Sequence, residues 1–139
     1  MKHALTTIDI HTTSQGFFEI TRDINAWVRS TGIEQGLLTV FCRHTSASLT
    51  IQENADPDVQ RDILSYFKRT VAEDASLYTH VNEGADDMPA HIRTMLTDVS
   101  LSIPVQNGQP TLGTWQGVFL FEHRARDHHR QVVLQLMGD

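Results

Sequence analysis

Three short stretches of this 139-residue chain gather side chains able to do chemistry. In HTSASLTIQENADPD, residues 44–58, an imidazole at His44 is followed by the hydroxyls of Thr45, Ser46 and Ser48. Behind them come Glu53, Asn54, Asp56 and Asp58. In HVNEGADDMPAH, residues 80–91, His80 and His91 bracket Glu83, Asp86 and Asp87. In LGTWQG, residues 112–117, Gly113 and Gly117 flank Trp115 and the amide of Gln116. Imidazole nitrogens and carboxylates are metal ligands, hydroxyls and amides bind phosphate, and glycine lets a ligand approach the backbone.

Each stretch also has a plainer reading. Ser and Thr serve turns and bulges, and strand alternation places Ser46 and Ser48 on the same solvated face as His44. Asp56 before Pro57 is the signature of a helix N-cap, which leaves Glu53 and Asn54 as the freer ligand candidates. His80 and His91 match no standard zinc spacing and by spacing alone read first as surface histidines on an acidic loop. Trp115 suits a core or the wall of a site. Gln116, on the opposite strand face, needs a polar partner if buried. A serine nucleophile is disfavoured because no strand-turn-helix elbow is present. Cys42 lies in an apolar run, where a thiol is inert. His3, His11, His123, His128 and His129 fall at element ends or in a charged turn and are expected to be exposed.

The elements that must position these groups follow from hydrophobic period. LTTIDIHT, residues 5–12, alternates as a strand, whereas Phe17, Ile20, Ile24, Trp27 and Val28 recur at helical spacing up to Gly32. GLLTVFCRH and ASLTIQ read as two strands, or one kinked strand, joined through His44. A helix is expected from Pro57, with Val59, Ile63, Phe67 and Val71 four apart, then a long loop over residues 73–88. Pro89 opens a short helix with Ile92, Met95 and Leu96 as its apolar face. VSLSIPV, GTWQGVFLFEH and RQVVLQLM suggest a C-terminal antiparallel meander. The whole reads as a single α+β domain over residues 1–139, with antiparallel-rich sheets and about three helices.

Composition narrows the function classes. Eleven Lys and Arg against 17 Asp and Glu give a net charge of −6, with no basic cluster to track a phosphate backbone, so no nucleic-acid partner is expected. No apolar run has membrane-spanning length, and the single cysteine forms no internal disulfide, so a cytoplasmic protein without membrane contact is expected. The eight histidines are unusual for this length and point towards metal binding.

Taken together, HTSASLTIQENADPD, the His80 to His91 stretch, SLSIPV, and LGTWQG followed by FEHR resemble the YjbQ-like family, small proteins named as secondary thiamine-phosphate synthases. The matching positions are His44, Thr45, Ser46, Glu53, Asn54, Asp56, His80, Glu83, Asp87, His91, Gly113, Trp115 and Gln116. Many members have Asn where this chain has Asp87, and small residues in place of Met88 and Pro89. The resemblance implies a homotrimer with a histidine-bearing cleft in or near the subunit interface. It also implies a weak or promiscuous activity that joins an aminopyrimidine methyl diphosphate to a thiazole phosphate and releases diphosphate. On that footing His44, Glu53 and Asp87 are expected to be catalytic. Thr45, Ser46, Asn54 and Gln116 would bind the phosphorylated small-molecule substrate. His44, His80 and His91 would hold a divalent zinc or magnesium ion. The alternative is a non-enzymatic housekeeping protein that binds a metal or phosphometabolite in the same cleft.

Overall fold

The computed structural model describes residues 1–139 as eight strands, three α-helices and one 3-10 turn. In order these are β1 (Lys2–Thr12), β2 (Gly16–Glu19), α1 (Thr21–Thr31), β3 (Gln35–Cys42), β4 (Ala47–Glu53) and α2 (Pro57–Thr70). After the 3-10 turn Ala75–Leu77 come α3 (Asp87–Leu96), β5 (Ser100–Gln106), β6 (Gln109–Pro110), β7 (Gln116–Glu122) and β8 (His128–Gly138). A five-stranded sheet has the order β1-β8-β3-β5-β6 and a three-stranded sheet the order β2-β7-β4. All named strand pairs are antiparallel. The α+β class is as expected.

One core lies between the sheets. Leu38 and Val40 of β3 and Leu134 and Leu136 of β8 meet Leu49 of β4 and Val118 and Leu120 of β7, joined by Ile24 and Val28 of α1. Burial of this contiguous apolar surface supplies the main driving force. Strand β7 is buried on both faces. Val118 and Leu120 enter the core, while Phe121 stacks on Phe17 and meets the edge of Phe67 from α2. Between the sheets at one end, the buried carboxylate of Glu122 receives Arg130 through Nε at 2.7 Å and Nη2 at 2.6 Å, and the Thr12 hydroxyl at 2.6 Å. Burial alone would raise the Glu122 pKa, but the Arg130 and Thr12 hydrogen bonds and the Arg130 charge bring it below the ordinary value.

Several expectations need correction. The apolar period beginning at Phe17 is not all helix, because residues 16–19 pair with β7 and the helix starts at Thr21. The C-terminal third is not a simple meander. The β5–β6 hairpin turns at Asn107-Gly108, both at positive φ as a tight hairpin requires. However, β7 joins the small sheet and β8 returns to the large one between β1 and β3. Helix α3 begins at Asp87, two residues before Pro89, and its orientation inverts the expected face. Arg93 and Thr94 are buried, while Met95 and Leu96 are 86% and 62% exposed. The cause is tertiary: Arg93 donates to the carbonyl of Val71 at 3.0 Å, just past the end of α2. Trp115 is 62% exposed rather than core. His123 is buried rather than exposed, because the strand periodicity of β7 carries through it.

Candidate functional site

The acidic loop and α3 build a compact cluster. Asp87 opens α3, and His91 lies one turn later on the same helical face. His80 comes from the loop. Its Nε2 lies 2.7 Å from Asp87 Oδ2, and His91 Nε2 lies 3.3 Å from the same oxygen. The three ligand atoms lie within 4.8 Å of one another. The Asp87 side chain is 2% exposed, against 48% for His80 and 32% for His91, so a fixed carboxylate underlies two imidazoles open to solvent.

Arg124, in the loop after β7, fixes that carboxylate. Its Nη1 donates to Asp87 Oδ1 at 2.7 Å, its Nε to Asp86 Oδ2 at 3.0 Å, and its Nη2 to the Glu83 carbonyl at 2.8 Å. The Ala125 N–H donates to Asp86 Oδ2 at 2.9 Å, so Asp86 ties this loop to the start of α3. Burial would raise the Asp87 pKa, but hydrogen bonding with His80 and the nearby Arg124 charge hold it below the usual carboxylate value. Gly84, at φ 109°, lets the acidic loop turn tightly here, and a Cβ on it would meet Asp86 Oδ1 at 3.0 Å.

Beside the cluster runs a groove of about 780 Å³ whose lining includes His91, Thr94, Met95 and Thr97 from the α3 side and Phe41, Cys42, Arg43, His44 and Thr45 from the end of β3. His44 thus shares a surface with His91 but stands outside the three-residue cluster. Its Nε2 accepts the Gln131 N–H at 2.8 Å, which requires a lone pair on that nitrogen. Burial, reinforced by the charge of Arg130, lowers the His44 pKa and favours this neutral form.

The remaining expected site residues divide between two places. Thr45 is exposed at the groove. Ser46 is buried, and its hydroxyl accepts from Arg130 Nη2 at 3.0 Å. Ser48, also buried, pairs with His123 Nε2 at 2.9 Å on the other side of the small sheet. The expected shared face of His44, Ser46 and Ser48 therefore does not form, because the chain passes from one sheet to the other between β3 and β4 and loses strand phase. Glu53 pairs with Gln116 at the far end of β4 and β7, roughly 20 Å along the strands from the Ala47–Glu122 pair next to Arg130. There Glu53 accepts the Asp56 N–H at 3.1 Å, Asn54 donates to Glu19 at 3.1 Å, and the Gln116 side-chain oxygen accepts the Gly113 N–H at 2.7 Å. Within one chain, Glu53, Asn54 and Gln116 do not meet the histidines.

Sequence reasoning passed over Arg124, Glu122 and Arg130. The spacing of Asp87 and His91 was a usable signal, hidden because Pro89 looked like the first residue of the helix.

The chain matches known proteins over nearly its whole length. The family model described as UPF0047 protein YjbQ-like matches residues 6–139. UPF0047 protein sll1880 of Synechocystis is 52% identical over 130 residues, covering 94% of this chain and 88% of that one. UPF0047 protein YjbQ of Salmonella typhimurium is 43% identical over 134 residues, covering 96% of each. A crystal structure of a YjbQ/UPF0047 family protein from Clostridium acetobutylicum superposes with a TM-score of 0.87 at 34% identity, covering 95% of this chain and 99% of that one.

Proposed function

Since this chain belongs to the YjbQ-like UPF0047 family, we propose that His80, Asp87 and His91 hold a divalent metal ion and that the adjoining groove binds a small phosphorylated metabolite. The observation that carries the reading is the convergence of two imidazoles on one oxygen of a buried carboxylate whose other oxygen is held by Arg124. Two nitrogens and one oxygen suit zinc and related transition metals better than magnesium, which prefers oxygen ligands. Three protein ligands leave coordination positions open. An ion held there would supply positive charge to a bound phosphate. Arg43 and the Thr45 hydroxyl, from the end of β3, would then orient the phosphate, and neutral His44, its Nε2 occupied by the Gln131 N–H, would donate from Nδ1.

The test is elemental analysis of the purified protein together with zinc titration of the apoprotein. Stoichiometric zinc in the parent, and its loss in His80→Ala and His91→Ala variants that keep their thermal transition, is the expected outcome. Equal metal content in all three would overturn the reading. Phosphorylated metabolites should raise the melting temperature only in the metal-loaded protein.

A finer reading is thiamine-phosphate synthase chemistry, favoured by the apolar and aromatic part of the groove, where Phe41, Met95 and Val99 offer a bed for a planar ring. In that reaction the thiazole nitrogen bonds to the pyrimidine methylene carbon, and diphosphate leaves with the electron pair of the broken C–O bond. Product formation from the two substrates, abolished by His44→Ala or His91→Ala, is the expected result. Turnover unaffected by either substitution would remove this reading while leaving the binding proposal intact. Assembly as a homotrimer in the cytoplasm completes the proposal; no helix is long and apolar enough to cross a membrane.

A further inference from the structure

At the end of the small sheet distant from the histidine cluster, a cavity of about 300 Å³ lies between α1 and the segment leading into β7. Its hydrogen-bonding capacity is unfilled. The carboxamide oxygen of Asn25 is buried and accepts no hydrogen bond. Gln116 uses its side-chain oxygen to accept the Gly113 N–H, which turns its amide nitrogen into a spare donor. Gln109 adds a third side-chain amide, and Arg29 contributes the one formal charge of the lining. A buried acceptor without a partner carries a desolvation cost that a ligand donor would remove. Within this cavity's lining Arg29 meets no carboxylate, and its guanidinium offers a two-pronged seat for a carboxylate or phosphate.

The neighbouring surface decides between these anions. Glu19 and Asp23 line the adjoining groove along α1 together with Arg22 and Arg29. The Glu19 carboxylate is held there by Thr21 Oγ1 at 2.8 Å and Asn54 Nδ2 at 3.1 Å. These two carboxylates balance Arg22 and Arg29, so the surroundings hold no excess positive charge for a dianionic phosphate and suit a monoanion that carries a donor or a second, positive group.

We propose that the Asn25, Arg29 and Gln116 cavity is a second binding site, independent of the histidine cluster, for a small carboxylate bearing an adjacent amine or hydroxyl. The carboxylate sits on Arg29 and Gln116 Nε2, and the amine or hydroxyl donates to Asn25 Oδ1. The volume, at the low end for ligand pockets, suits a molecule the size of an amino or hydroxy acid.

The test is titration of the isotope-labelled full chain with L-serine, L-lactate and inorganic phosphate, following side-chain amide signals by NMR. Saturable shifts of Asn25 and Gln116 with serine or lactate, with the imidazole signals of His80 and His91 unmoved, are expected. In Arg29→Gln, an exposed position where the fold should persist, binding should weaken by about tenfold, the loss of one charge-assisted contact. No saturable shift with either carboxylate, an unchanged affinity in Arg29→Gln, or tighter binding of inorganic phosphate would each overturn the proposal.

Discussion

Asp87 shows how much of a site's chemistry is set by what lies behind it. Its Oδ2 faces the two imidazoles, while its Oδ1 is committed to Arg124, so the carboxylate is oriented to offer one oxygen to an ion. Partners that orient a metal ligand typically contribute 10- to 100-fold to metal affinity. Arg124→Ala is therefore expected to weaken zinc binding by about 10- to 100-fold in a competition titration while leaving His80 and His91 in place. An unchanged affinity would mean that the arginine only ties the loop down. Cys42 makes the opposite case, a reactive atom rendered inert. It is 2% exposed, and burial pushes its pKa up to about 11. Thiol reagents at neutral pH should label it only after unfolding, and rapid labelling of the native protein would contradict the burial.

A polar chain links the end of α3 to β4 and to the residue that follows β7. His123 Nε2 pairs with Ser48 Oγ of β4 at 2.9 Å, and the Thr97 hydroxyl at the end of α3 reaches the same oxygen at 2.6 Å. Burial, with a smaller contribution from the Arg93 charge, lowers the His123 pKa from 6.5 to about 3. Between those values the unfolded chain binds a proton that the folded chain does not, so stability rises with pH across this window. Unfolding free energy measured by urea titration should fall as pH drops from 6.5 towards about 3, with a shallower slope in His123→Gln. Carboxylates whose pKa is lowered on folding, Glu122 among them, act in the same direction further down the scale and will preserve part of the slope in the variant. Equal slopes in the two proteins would place the proton uptake elsewhere.

For the whole molecule, the outer face of the five-stranded sheet is the feature that a single chain leaves unexplained. Leu37 and Met137 are cross-strand partners and are 49% and 47% exposed. Leu5 at 60% and Phe41 at 44% lie on the same face. These exposed apolar side chains, with Thr39 and Gln135 between them, make a mixed face on which the proposed trimer would be held. Leu37→Glu should convert the assembly to monomers in sedimentation equilibrium without changing the monomer's secondary structure. An unchanged molecular mass would move the interface away from this sheet. The separation of Glu53, Asn54 and Gln116 from the histidines is also a property of this scale, since these three lie at one end of the β4–β7 pair, whereas Arg124, which anchors the histidine cluster, follows the other end.

Hydrophobic period and capping residues determined the elements themselves. The α+β class, the helix opened by Asp56 and Pro57, and the strands around Leu38 and Leu134 are all local properties of the chain. What remained were choices between faces and neighbours. Whether β7 and β8 share a sheet, whether Met95 or Arg93 of α3 turns inward, and whether Ser46 looks into a cleft or onto Arg130 depend on partners distant in sequence. The local pattern is compatible with either answer. Only the tertiary structure decided that Arg124 would stand behind Asp87, because an arginine 37 residues away leaves no trace in the spacing of the residues it holds.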